Sequence, residues 1–130
     1  MTVLIAYAPG PRGEAAVKEG AAEAARRHKP LVIVNVAHGD SHVEPDIATT
    51  AHLDELRSLT ETWDVPASIV QPVDAPPVEA ILAAITQHQA ELLVLGIKKR
   101  SPVGKILMGS IAQRLLLQAP CPVLAVKAAT

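Results

Sequence analysis

This 130-residue chain predicts an α/β fold with a parallel sheet, on three observations. Short runs rich in Val, Ile and Leu alternate with Ala-, Glu- and Leu-rich stretches of helical period. The short runs are apolar on both faces, the pattern of strands covered from two sides. The stretches between them are too long for hairpin turns, so successive strands are joined by crossovers and run parallel. A chain of this length makes a single domain, taken over residues 1–130.

The elements follow in order. Residues 2–8, TVLIAYA, form an apolar first strand that Pro9-Gly10-Pro11 ends. Residues 12–28 have a stripe of Ala15, Val17, Ala21, Ala24 and Ala25, which predicts a helix stopped by Pro30. The second strand is LVIVNVA, residues 31–37, followed by the polar loop HGDSHVEP over 38–45. Ile47, Ala51, Leu53, Leu56 and Leu59 predict a second helix over 46–62, and residues 65–70 a short third strand. Asp74, followed by Ala75-Pro76-Pro77, reads as a capping acid at the start of a third helix that runs to Gln89. Its buried face is Val78, Ile81, Leu82 and Ile85. Residues 91–96 are the fourth strand, a helix starts at Ser110 and ends before Pro120, and the last strand runs from Pro122 to Lys127.

Composition excludes several functions. A 49% hydrophobic and 19% charged chain is globular, and a formal net charge of −1 gives no global attraction to nucleic acid or anionic membrane. Trp63 and Tyr7 are the whole aromatic complement, too few for a single-strand stacking platform. Cys121 stands alone, so no internal disulfide forms, and its place between two prolines marks it as buried. No run approaches the ~20 apolar residues of a spanning helix, and no export signal precedes the first strand. A cytoplasmic location is expected, with no nucleic-acid or membrane partner. His38 and His42, with Asp40 between them, lack further ligands to complete a metal site. No Ser-His-Asp or Cys-His arrangement is assignable from spacing.

The chemistry concentrates at the carboxyl ends of the strands, where open α/β sheets bind ligands. Ala8-Pro9-Gly10, Val36-Ala37-His38 and Leu95 to Arg100 lie there. Gly96 suits a close backbone approach to a ligand, and Ser110 suits a helix cap whose amides attract an anion. Lys98, Lys99, Arg100 and Lys105 add four positive charges to one loop. Two familiar motifs fail. Gly104-Lys105 is followed by Ile106, with no hydroxyl for magnesium, and Gly10-Pro11-Arg12-Gly13 supplies only part of a dinucleotide fingerprint.

The ending GIKKRSPVGKILMGSIAQRLLLQAPCPVLAV resembles the C-terminal signature of the universal stress protein family. Nucleotide-binding members carry Gly, two residues, Gly, nine residues, then Gly followed by Ser or Thr. Gly96 and Gly109-Ser110 stand at the matching separation, Lys99 occupies the middle glycine's position, and Ala8 that of an acid ending the first strand. The resemblance spans essentially the whole chain. It implies a three-layer open twisted sheet of five parallel strands, order 3-2-1-4-5, with helices on both faces, of the adenine-nucleotide α-hydrolase-like type.

It also implies an adenine-nucleotide site for ATP or AMP, with Mg2+ if ATP, in a stress-linked regulatory module. The positions carried over are Ala8, Pro9, Val36 at the base, Leu95, Gly96, Lys98, Lys99, Gly109, Ser110, Ile111 and Ala112. A homodimer through the last strand is implied as well. Ala8 and Lys99 motivate an alternative, a dimeric interaction protein whose nucleotide site has decayed. Slow ATP hydrolysis ranks last, because no general base or magnesium-binding carboxylate can be assigned around the loop.

Overall fold

A computed structural model describes residues 1–36, 50–98 and 109–128; of Thr50, Ala51, His52 and Thr60 it describes the backbone alone. The helix start expected at 46–49, Ala37, His38, Asp40, His42 and the basic segment Lys99, Arg100, Gly104, Lys105 and Ile106 lie outside the described residues. The elements are β1 (Thr2–Ala6), α1 (Pro11–Arg27), β2 (Leu31–Val34), α2 (Thr50–Glu61), β3 (Ala67–Val70), α3 (Pro77–Gln87), β4 (Ala90–Ile97), α4 (Ser110–Gln118) and β5 (Val123–Lys127). All strand pairs are parallel, and the sheet order is β3-β2-β1-β4-β5, as expected from the sequence.

Several ends differ from the sequence reading, those of α3, α4 and β3 among them. α3 is capped by Pro76 and not by Asp74. A residue before proline is pushed into extended geometry, and Pro76 sits at ψ 130°, so the helix begins at Pro77. Asp74 instead takes a left-handed turn conformation at φ 57°. At α4 the cap residue is Gly109, and Ser110 is the first helical residue, with no side-chain cap. β3 starts after Pro66, which has no N–H for the ladder and contributes only its carbonyl, accepting from the Leu31 N–H at 2.8 Å.

β1 is the centre of the sheet, and its alternation divides the core. Val3, Ile5 and Tyr7 pack with Ile33, Leu92 and Val94 beneath Ala16, Val17, Ala21 and Ala24 of α1 and Leu56 of α2. Leu4, Val32, Val34, Leu93 and Leu95 face Val78, Ile81 and Ile85 of α3 and Leu115 of α4. Crossovers of constant hand put successive helices on one face while the chain winds one way, and on the other once it reverses. After β3 the chain returns across β1 to lay down β4, so the reversal falls between β1 and β4. At the far edge β5 pairs, among the described residues, only with β4, and along α4 Leu115 is buried while Leu117 is 85% exposed. No helix among the described residues is long and apolar enough to cross a membrane.

α1 sits unusually close to the strand ends. A Cβ on Gly96 would overlap the Arg12 carbonyl oxygen and lie 2.6 Å from its carbon. A Cβ on Gly13 would overlap the Ala8 carbonyl oxygen and lie 2.8 Å from Tyr7 Cε1. Gly96 is therefore required by helix-on-strand packing, a tighter demand than the ligand approach read from sequence. Gly109, with φ −66° and open space around its Cβ position, has no such demand. Gly96→Ala is expected to cost about 1–3 kcal/mol in urea unfolding, as overpacking does. Gly109→Ser should stay within about 0.5 kcal/mol of the parent, because serine is at least as good a cap as glycine.

Candidate functional site

The winding reverses between β1 and β4, and there a crevice opens at the carboxyl edge of the sheet. A cavity of about 340 Å³ occupies it. That is within the range of small-ligand sites, roughly 300–1,000 Å³. Its floor is Ala6, Ala8, Val34, Val36 and Leu95, the side of the sheet that faces α3 and α4. Its walls are the first turn of α1 at Arg12 and Gly13, Pro77 and Ile81 of α3, and Gly109 to Ala112 at the start of α4.

Of the positions singled out in the sequence, Ala8, Pro9, Val36, Leu95, Gly96, Gly109, Ser110, Ile111 and Ala112 all line this one cavity. They come from four separate segments of the chain. Lys98 is exposed just beyond β4 and does not line it, and Lys99 lies outside the described residues. Several lining residues had been missed. Ala6 and Val34 stand two positions before Ala8 and Val36, and the two-residue strand period was the signal that placed them on the same face. Arg12 had no local signal; only its packing against Gly96 brings it to the crevice.

The start of α4 is suited to an anion. Its cap residue has no side chain to occupy the first amides, which are unpaired within any α-helix. Among the described residues that line the cavity, Arg12 is the only one with a charged side chain, and none is a carboxylate. No cluster of metal-binding side chains occurs among the described residues. The cavity offers apolar walls for a flat group and two helix starts for an anion, with no carboxylate among the described lining residues.

The crevice is braced from below by polar contacts absent from the sequence reading. Asn35 is 1% exposed. Its Nδ2 donates to the Tyr7 carbonyl at 3.0 Å, and its Oδ1 accepts from Gln71 Nε2 at 3.1 Å. The Tyr7 N–H donates to the Val34 carbonyl and the Asn35 N–H to the Val70 carbonyl, each at 2.9 Å. The polypeptide thus stays tied past the ends of β1, β2 and β3, where a buried unpaired carbonyl would cost about 1–3 kcal/mol. Burial of the Tyr7 ring, with Glu14 and Glu55 nearby, pushes its hydroxyl up to about 12. Cys121 is half-buried, and burial raises its thiol too, which makes it a poor nucleophile.

Comparison with known proteins identifies the family and the fold. The model of the universal stress protein family matches residues 1–127. A universal stress protein of Mycolicibacterium smegmatis is 43% identical over 125 residues, 96% of either chain. A universal stress protein structure from Archaeoglobus fulgidus superposes with a TM-score of 0.82 at 27% identity, covering 98% of both chains. Another from the same organism, solved in complex with dAMP, gives 0.77 at 22% identity, again over 98% of both.

The burial of the single tyrosine's hydroxyl is measurable. Its folded pKa is above the unfolded value of 10.0, so its contribution to stability is complete below pH 10 and is lost as pH rises toward about 12. Phenolate absorbance of the folded chain should therefore rise near pH 12, and a midpoint at 10 would show that Tyr7 is solvated.

Proposed function

Because the chain belongs to the universal stress protein family, we propose that its crevice binds an adenine nucleotide, AMP or ATP, as a regulatory module of the stress response. The observation that carries this reading is the convergence of Ala8-Pro9, Val36, Leu95-Gly96 and Gly109 to Ala112 on one cavity at the winding reversal. Solved family structures with dAMP, cAMP and AMP support it. In this reading Val36 and the apolar floor contact the base. Gly109 and Ser110 present the first amides of α4 to phosphate, with Lys98 and Lys99 from the adjoining loop. ATP would bring its own Mg2+ on its phosphates, since no lining carboxylate among the described residues supplies a ligand.

Calorimetric titration with AMP, ATP and ATP plus Mg2+ tests this reading. Heat and thermal stabilisation are expected, and neither appearing up to millimolar nucleotide would end it. Gly109→Val should abolish binding with the fold intact, because open space at its Cβ leaves a ligand as the reason for glycine there.

A second reading, an interaction protein without a working nucleotide site, is favoured by Ala8, which lines the cavity at the position where the family resemblance implies an acid. Both readings include a homodimer through β5. That strand pairs on one side only, and its neighbour α4 leaves Leu116 and Leu117 exposed at 39% and 85%. Sedimentation at micromolar concentration should give a dimer, and Ala125→Pro, which removes an N–H facing the free edge, should shift it to monomer.

A further inference from the structure

We propose that Arg12 makes the crevice selective for the phosphate of its ligand, so that a nucleoside monophosphate is preferred to the bare nucleoside. The inference rests on the nucleotide reading above and adds to it a charged group that lines the cavity itself.

Three observations converge on this residue. Arg12 alone among the described lining residues carries a charged side chain, in a cavity with no lining carboxylate to neutralise it. It makes no ion pair among the described residues, whereas three other helical arginines do: Arg26 with Glu23, Arg27 with Glu23 and Glu91 at 3.1 and 2.9 Å, and Arg114 with Glu79 at 2.8 Å. It also stands in the first turn of α1, where a cation opposes the helix dipole and an acid would be favoured. A cation against the dipole, without a partner, contributes nothing to folding. It does complement an anion that the same helix start attracts.

The backbone is built for this. Gly13 and Gly96 exist as glycines because Arg12 and the turn before it lie directly on the strand ends. Arg12 is thereby fixed at the mouth of the cavity that Gly109 and Ser110 also line. A phosphate seated on the first amides of α4 then has a guanidinium from α1 across the crevice, free to bind two of its oxygens. With the backbone already held, binding orders only the side chain.

The test is calorimetric titration of the full chain, Arg12→Gln and Arg12→Lys with adenosine and with AMP at fixed ionic strength. The parent chain should bind AMP at least tenfold more tightly than adenosine. Arg12→Gln should lose that tenfold advantage with its thermal midpoint unchanged, and Arg12→Lys should keep part of it, since an ammonium ion retains charge but not the fork. Equal affinity of the parent for adenosine and AMP, or AMP affinity within twofold of the parent in Arg12→Gln, overturns the role of Arg12 and leaves the nucleotide reading standing. Binding of neither ligand to the parent overturns both.

Discussion

The first turn of α1 lies with its backbone on the ends of β1 and β4, and the rest of the molecule is arranged around that contact. Side chains are excluded at Gly13 and Gly96, where carbonyl groups of Ala8 and Arg12 fill the space a Cβ would need. The remainder of the helix face continues the theme with Ala16, Gly20, Ala21 and Ala24, all buried. Small residues let a helix approach a sheet closely, and close approach draws the start of α1 over the winding reversal. With bulkier residues the helix would stand off, the crevice would lose a wall, and Arg12 would be an ordinary surface cation.

Polarity in this protein is local. The formal net charge of −1 says nothing about anion binding, yet two helix starts and one arginine meet at a cavity free of lining carboxylates among the described residues. Opposing charges are used elsewhere: Glu91 draws Arg27 to the amino end of β4, and Glu79 ties α3 to Arg114 of α4. These exposed pairs contribute little to stability. Their effect on the field is larger, because they neutralise the arginines away from the crevice and leave Arg12 unbalanced within it. Asn35 acts through geometry. It holds the segments after β1 and β3 together below the cavity, so Tyr7-Ala8-Pro9 leaves the sheet in a fixed direction.

Most of the fold was legible in the chain because its signals are local and repeated. TVLIA, LVIV and ELLVLGI are apolar on both faces, and Ala-rich stretches of helical period separate them. The candidate site was legible in its segments, since Gly96 and Gly109-Ser110 hold a recognisable spacing and Ala8 and Val36 end their strands. The same local reading failed at Asp74, where the Pro76-Pro77 pair decided the helix start, and at Ser110, displaced as cap by Gly109.

The sequence by itself determined the alternation of elements and the family, because periodicity, proline placement and motif spacing act over a few residues. Tertiary structure alone decided why Gly96 is glycine, that Arg12 stands beside it and that Lys98 does not line the cavity. Residues 12 and 96 share no local pattern: they meet because the chain crosses back over β1, and only packing across that crossover turns a strand glycine and a helix arginine into one site.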